Sequence, residues 1–129
     1  MSKTITPADI AARKTALIER GKAHKILSEC ADSRRRERAG DITILKATES
    51  AATGALRAEV ASATGDGTTY VVTCDGPRDG RIRAFSCTCR DHRDRGTVCK
   101  HLLAVSHRYV EQKRDEYKLL ADIEKLFDL

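Results

Sequence analysis

Apolar residues recur every three or four positions in the first third of the chain, the spacing of one helix face. The segment TPADIAARKTALIERG begins with Thr6, a favourable N-cap, and Pro7, which suits the first helical position. Gly21 at its end predicts a stop or a kink. The next stretch, KAHKILSECADSRRRERAG, keeps a helical composition up to Gly40 but has a thin apolar stripe, so we expect a second helix or a basic arm.

Apolar and polar residues begin to alternate after Asp41, which indicates strands. In GALRAEVAS the apolar side chains occupy every second position, as in a strand with one buried face. DITILKATE, TTYVVTC and RIRAFSCTC are further strand candidates, and turn or loop signals at 65–67 and 75–80 separate the later ones. The pattern predicts a meander of three or four antiparallel strands.

A helical pattern returns after Gly96 and continues without Gly or Pro to the last residue. One apolar face lies around Leu102 and Tyr109, and a second lies around Leu120 and Phe127. The charged segment EQKRDE between them predicts a break or a turn that points into solvent. The chain is therefore expected to form an α+β fold, with an N-terminal helical segment, an antiparallel meander, a hairpin–helix unit and a C-terminal helix.

The length of 129 residues suits one domain with three regions. These are a helical region with a basic arm over 1–40, the meander with the cysteine-rich segment over 41–108, and an amphipathic helix over 109–129. Aromatic residues make up only 4% and Trp is absent, so a metal or a partner would help to stabilise a lean core. No signal peptide or membrane-spanning run is recognisable, which predicts a cytoplasmic protein, nucleoid-associated or, in a eukaryote, nuclear.

The segment CTCRDHRDRGTVCKH, residues 87–101, holds three of the five cysteines and two of the four histidines. Residues two apart in a strand point to the same face, so Cys87 and Cys89 can converge on one ion. Residues two apart in a helix diverge by about 200°, so Cys99 should lie at or before the first turn and His101 just inside it. The intervening RDHRDRGTV is expected to be a polar loop. Three thiolates and one imidazole form a closed structural site for Zn²⁺.

Other interpretations of this cluster remain open from the residues alone. His92 can replace His101 in the ligand set. A disulfide framework fits an odd, clustered set of cysteines poorly, and a Cys–His nucleophile pair lacks a recognisable oxyanion site. Since four protein ligands leave zinc no open position for water, the sequence favours a protein that is not an enzyme.

The remaining cysteines and histidines lack a metal-site spacing. Cys30 and Cys74 are expected to be small buried residues, since Cys74 shares a strand face with Val72. His24 and His107 lie on predicted helices among charged neighbours, so we expect both to face solvent.

The cluster and its neighbours resemble the SWIM zinc finger, whose pattern is C-x-C, a variable gap, then C-x-H. The resemblance covers about residues 65–106, including TTYVVTCDG, the hairpin into FSCTC, and CKHLLAV. The chain departs from the family at Arg90-Asp91, where a proline and an aromatic residue usually follow, and at Val98, where a proline often precedes the third cysteine. The resemblance implies a stand-alone member, in a family taken to bind DNA or proteins. It implies one structural zinc ion, bound by Cys87, Cys89, Cys99 and His101.

The net charge of +5 is concentrated in two basic blocks, residues 13–38 and 81–108. Such blocks favour a polyanionic partner, so we predict binding of nucleic acid through its backbone, with DNA favoured. No aromatic residue lies in the loop between the ligand pairs, which argues against stacking on single strands. The predicted nucleic-acid contacts are Arg34, Arg35, Arg36, Arg38, Arg90, Arg93, Arg95 and Lys100.

A second hypothesis is a protein-interaction adaptor. The C-terminal stretch DEYKLLADIEKLFDL is acidic and apolar, and as a helix it could dock a protein partner. The alternative for the same stretch is packing on the sheet, because the core otherwise lacks bulk. No membrane partner is expected under either hypothesis.

Overall fold

The computed structural model describes residues 5–50, 52–62, 67–78, 81–82 and 84–127. Its elements form an α+β fold, which confirms the predicted class. The helices are α1 (Pro7–Glu29), α2 (Ser33–Ala39), α3 (Arg90–Arg95) and α4 (Lys100–Phe127). The strands are β1 (Ile44–Glu49), β2 (Leu56–Ala61), β3 (Thr69–Cys74), β4 (Pro77–Arg78), β5 (Arg81–Ile82) and β6 (Phe85–Cys87). Residues 1–4 and 128–129 of the predicted terminal regions lie outside the described residues.

Four strands form one antiparallel sheet in the order β1-β2-β3-β6, which confirms the predicted meander. Leu56 pairs with Cys74 and Val60 with Tyr70, so the apolar side chains of β2 and β3 share one face. Leu56, Val60 and Cys74 are buried on that face, whereas Arg57 is exposed on the other. The sheet buries one side only and needs a layer of helices to cover it.

A small hairpin of β4 and β5 is inserted between β3 and β6 and packs against α1. The strand expected over 81–89 is therefore divided, with β5 in the hairpin and β6 in the sheet. The loop expected at 75–80 contains β4, and residues 79–80 lie outside the described residues. Of the turn expected at 65–67, only Gly67 is described, and its φ of +81° is a backbone conformation that favours glycine.

The two long helices lie antiparallel against each other. Lys14 near the start of α1 lies 3.4 Å from Glu124 near the end of α4, and His24 further along α1 meets Ser106 nearer the start of α4. α1 continues through Gly21, where a stop or a kink was expected. A glycine in a helix interior costs about 1 kcal/mol, and the packing along α4 outweighs that cost.

α4 is one continuous helix, and the charged segment 111–116 does not break it. Lys113 of that segment turns inward and donates a 2.9 Å hydrogen bond to Glu49 of β1. Beyond Lys113 none of the described residues of α4 is fully buried, and Leu119 and Leu126 are exposed. The second half of α4 therefore pairs with α1 and leaves part of its apolar surface in solvent.

A partly buried charge network joins α1, β1 and α4. Besides its bond from Lys113, Glu49 lies 3.5 Å from Arg20. Burial alone would raise the pKa of Glu49, but its interactions with Tyr109, Lys113 and Arg20 outweigh burial, and the net shift is downward. The Lys113 ammonium also lies 4.8 Å from the centre of the Tyr109 ring. The charges in this layer are thus paired, as burial requires.

His24 is fully buried, so the expectation that it faces solvent is wrong. Its ring centre lies 4.1 Å from that of Tyr109, and its Nδ1 lies 3.0 Å from Ser106 Oγ. The sequence held a signal for this position, because His24 follows the buried residues Leu17 and Ile10 at seven-residue intervals on one stripe of α1. Burial lowers the pKa of His24 to about 4, so the ring is neutral at pH 7.

Of the other three expectations outside the cluster, two are confirmed and one is wrong. Cys74 is buried and His107 is exposed, as predicted, but Cys30 is exposed and its prediction is wrong. Cys30 follows the last residue of α1, where the chain leaves the helix pair and turns towards α2. Within the described ranges, the helices lack an apolar run that would reach across a bilayer.

We predict that His24 makes the fold sensitive to acid. The unfolded chain binds a proton on this histidine near pH 6.5, whereas the folded chain does so only near pH 4, so stability is lost as the pH falls through that interval. The free energy of unfolding should fall by about 2 kcal/mol between pH 7.5 and pH 5 through this group alone. Urea unfolding of the parent and of His24→Gln, compared at each pH, measures it. Equal pH dependence in both proteins would contradict the prediction.

A second prediction concerns Gly76, which is buried at the junction of β3 and β4. A Cβ atom there would lie 3.0 Å from the carbonyl carbon of Thr53 and closer still to its oxygen, so the backbone must move. Gly76→Ala should lower the free energy of unfolding by about 2 kcal/mol. The matched control is Gly21→Ala, where a Cβ meets nothing within 4 Å and helix propensity should add about 1 kcal/mol. Denaturant unfolding that gave both variants the same sign would refute this assignment.

Candidate metal centre

The four predicted ligands meet where the sheet, α3 and α4 join. Cys87 is the last residue of β6 and Cys89 immediately precedes α3. Cys99 immediately precedes α4, and His101 lies in the first turn of that helix. All four are buried, and their donor atoms lie within 4.8 Å of one another. The placement expected for Cys99 and His101 is therefore observed, whereas Cys89 lies beyond the end of the strand in which it was expected, as the extended N-cap of α3. The group can hold one metal ion.

The donor separations fit a shared ion. Sulfur atoms at 2.3 Å from a tetrahedral Zn²⁺ would stand about 3.8 Å apart, so the observed upper limit of 4.8 Å is within about 1 Å of that arrangement. Both ring nitrogens of His101 are buried without a hydrogen-bond partner among the described residues. Burial removes the hydrogen bonds that an imidazole makes with water, which costs free energy when no partner replaces them. A metal bond to one nitrogen would offset that cost.

The segment between the ligand pairs is a short helix, α3, where a polar loop was expected. Cys89 is its N-cap, and the Cys89 sulfur accepts a 3.5 Å hydrogen bond from the backbone N–H of His92. Gly96 ends the helix with a φ of +64°, and its N–H donates to the carbonyl of His92 at 2.8 Å. One candidate ligand thus also starts the helix, which fixes the start of α3 beside the other three donors.

His92 lies outside the group of converging donors. Its Nδ1 is 2.7 Å from the carbonyl oxygen of Thr97, and its ring lies against Phe85 with centres 5.8 Å apart. His101 is the histidine that belongs to the group. The alternative ligand set with His92 therefore has no support from the geometry, and His92 instead ties α3 to the turn that precedes Cys99.

Protonation of the three thiols follows their mutual contacts. A hydrogen bond from Cys87 lowers the pKa of Cys99, and the backbone of Leu102 lowers it further, against the opposing effect of burial. The same Cys87–Cys99 bond raises the pKa of Cys87, while burial raises that of Cys89. The protein alone favours one thiolate, at the N-terminus of α4, where the helix dipole also favours negative charge. Three buried thiolates require a cation beside them.

The surroundings of the cluster hold its side chains in place. The ring of Tyr70 packs on that of His101 with centres 4.8 Å apart. Val98 and Leu102 are buried beside the ligands in the main core. Cys74 is also buried, and burial together with the nearby charge of Cys99 raises the pKa of Cys74 to about 12. It stays outside the group of donors as a neutral thiol.

A concavity of about 800 Å³ lies between α2 and α3, beside the group of four candidate metal ligands. Six of the eight predicted nucleic-acid contacts line it, whereas Arg36 and Arg93 do not. Three acidic residues that the sequence analysis did not single out also line it. The basic residues are Arg34, Arg35, Arg38, Arg90, Arg95 and Lys100, and the acidic ones are Asp32, Asp91 and Asp94.

The charges in this concavity fall into two groups. Arg35 is held by Asp32 and by Asp91, and Arg90 lies 3.3 Å from Asp94. Arg95 is only loosely paired, at 3.7 Å from Asp91. A hydrogen bond from Arg35 lowers the pKa of Asp91, so this carboxylate is ionised at pH 7. In the part of the chain that the structure describes, the remaining cations of the concavity make no ion pair. These are Arg34, Arg38 and Lys100.

The chain matches no protein-family model, no curated protein and no solved structure. Fold and site geometry therefore carry the functional argument.

We predict that loss of one ligand abolishes metal binding. Cys99→Ser or His101→Ala should reduce bound zinc well below one ion per chain and weaken its affinity by at least about 100-fold, since one of four donors is removed. Elemental analysis of the purified protein and competition with a chromophoric chelator measure both quantities. The control is Cys74→Ser, which changes a buried thiol outside the donor group and should leave the metal content unchanged. Full occupancy in Cys99→Ser would refute the ligand set.

Proposed function

We propose that this protein is a small SWIM-type zinc-finger protein that binds nucleic acid, most readily DNA, through the phosphate backbone. It would act as an accessory factor in DNA transactions rather than as an enzyme. One observation carries the proposal: six cations predicted from two distant parts of the sequence line one concavity beside a four-donor metal cluster.

Zinc is the metal we infer for the cluster. Three thiolates and one imidazole in a compact group are a donor set that zinc adopts in structural sites, and thiolates select against magnesium and calcium. When bound, zinc would supply a cross-link between the end of β6 and the start of α4. Cys87, Cys89, Cys99 and His101 would fill its coordination sphere and leave no position for a water nucleophile. This supports a structural role and a protein without catalytic activity.

The charge around the cluster supports a polyanionic partner. The concavity is lined by six basic and three acidic residues, and Arg34 and Arg38 are exposed and unpaired within the described part of the chain. They lie four residues apart on α2, so they share one helix face. Lys100 stands between two ligands, and its position would be set by the metal. A rigid array of this kind suits contacts to successive phosphates.

Backbone contact fits the site better than base recognition. No aromatic residue lines the concavity, so stacking on unpaired bases has no platform. The short helices α2 and α3 have seven and six residues, which gives little length for reading a major groove. For this function we expect the protein in the cytoplasm on the nucleoid, or in the nucleus of a eukaryotic cell, without a membrane partner.

A second candidate function is a protein-interaction adaptor that docks through α4. Leu119, Leu126 and Phe127 are exposed on the second half of this helix. Their apolar surface favours a protein partner over a polyanion. Salt dependence separates the two functions, because docking of an apolar helix face responds weakly to salt.

We predict salt-dependent binding of duplex DNA by the metal-loaded protein. If about four phosphates are neutralised, the logarithm of the association constant should fall against that of salt concentration with a slope near −3.6. Fluorescence anisotropy with a labelled random-sequence duplex measures it. Arg34→Gln should weaken binding and reduce the slope by about 0.9. Lys118→Gln, which removes an exposed cation from the far part of α4, is the matched control and should change neither. Binding that is flat in salt would favour the adaptor.

A further inference from the structure

We propose that Arg35 and Asp91 form a positioning pair that holds α2 beside α3, so that Arg34, Arg38 and Lys100 form one binding site for nucleic-acid phosphodiesters. This inference rests on the proposed function and adds a role for a carboxylate in binding a polyanion. Asp91 would strengthen the binding of negative charge although it is itself negative.

The pair has the geometry of a structural contact. Arg35 Nε lies 2.8 Å from one carboxylate oxygen of Asp91, and Arg35 Nη2 lies 2.8 Å from the other. Such a two-bond fork is the strongest arrangement an arginine makes with a carboxylate, and it fixes direction as well as distance. Both side chains are partly buried, at 20% and 33% exposed, so water screens the pair less than a surface pair.

The pair spans two elements that do not pack closely on each other. α2 packs on α4, whereas α3 contacts β6. Asp32, the N-cap of α2, binds the backbone N–H of Arg35 at 2.8 Å and also pairs with its guanidinium. Arg35 is thus fixed to the start of α2 at one side and to α3 at the other. Since α2 also packs on α4, the link acts together with that packing to orient Arg34 and Arg38 relative to the four candidate ligands.

The link also connects α2 to the metal ligands. Asp91 lies in the first turn of α3, two residues after the ligand Cys89, which caps that helix. Lys100 lies between the ligands Cys99 and His101. Arg34 and Arg38 are therefore connected to the metal ligands through the Arg35–Asp91 bond. Lys100 is connected to them directly, because it lies between two of them in the chain. A phosphodiester chain that crosses the concavity can reach all three without breaking an ion pair.

Simple charge attraction and positioning predict opposite signs for one substitution. Asp91→Asn raises the net charge by one, so attraction alone should strengthen DNA binding about twofold. If Asp91 positions α2, the same substitution should move the slope from about −3.6 towards −1.8, because two phosphate contacts are lost, and should weaken binding by up to about 60-fold in about 100 mM salt. Asp94→Asn is the matched control: it makes the same charge change on the same helix, but its partner Arg90 is largely exposed.

The experiment measures anisotropy of a labelled DNA duplex with the metal-loaded full chain, its metal content and its thermal unfolding. We expect weaker binding for Asp91→Asn and equal or stronger binding for Asp94→Asn, with one metal per chain in both. Stronger binding by Asp91→Asn, or equal loss in both variants, would overturn the positioning role while leaving the proposed function intact. Absence of salt-dependent binding by the parent protein would overturn the proposed function as well.

One further variant and one titration complete the test. If Asp91→Asn loses metal or fold, Arg35→Lys decides, because lysine keeps the charge but cannot form both bonds. We expect weaker binding and a smaller slope, and unchanged binding would overturn the role. Titration with inorganic phosphate at constant ionic strength tests the ligand. We expect no saturable displacement of the duplex, and displacement would overturn the phosphodiester assignment in favour of free phosphate.

Discussion

The convergence of three sulfur atoms and one imidazole on a common point is the constraint on which the functional end of this protein depends. It joins the end of β6, the cap of α3 and the start of α4 within 4.8 Å. Of these elements, α3 is short and contacts little besides β6, so its position depends most on this junction. A cation that neutralises the buried thiolates would make the junction rigid. The rigid junction would in turn fix the positions of Lys100 and of the basic residues on α3.

The other end of the molecule is stabilised differently. α1 and α4 pack along each other, and their shared layer contains His24, Tyr109 and the Glu49–Lys113 ion pair rather than a purely apolar core. Aromatic residues are few, so polar side chains fill volume that Phe or Leu would occupy elsewhere. Buried polar groups specify a partner by their need for hydrogen bonds, and they make stability depend on pH.

Acidic residues have different roles in the two regions. Glu49 compensates buried cations within the helix layer, whereas Asp91 orients an arginine at the rim of the concavity. A surface with six basic and three acidic residues is therefore less of a uniform positive patch than its net charge indicates. The acids decide which cations are paired and which are not, and for Arg35 this follows from a contact between segments distant in the sequence.

The sequence alone determined the strands of the main sheet, the long helical regions and the donor set, but not α3 or the β4–β5 hairpin. Alternation predicted the strands, helical spacing predicted the long helices, and the paired spacings Cys87-x-Cys89 and Cys99-x-His101 placed the ligands at a strand end and a helix start, because each rests on local backbone geometry. The stripe of Ile10, Leu17 and His24 on α1 was readable in the sequence, but only the tertiary structure decided that His24 meets Tyr109 and Ser106 and that Arg35 meets Asp91. Both contacts depend on which segments pack together, and local helical spacing does not specify the partner segment.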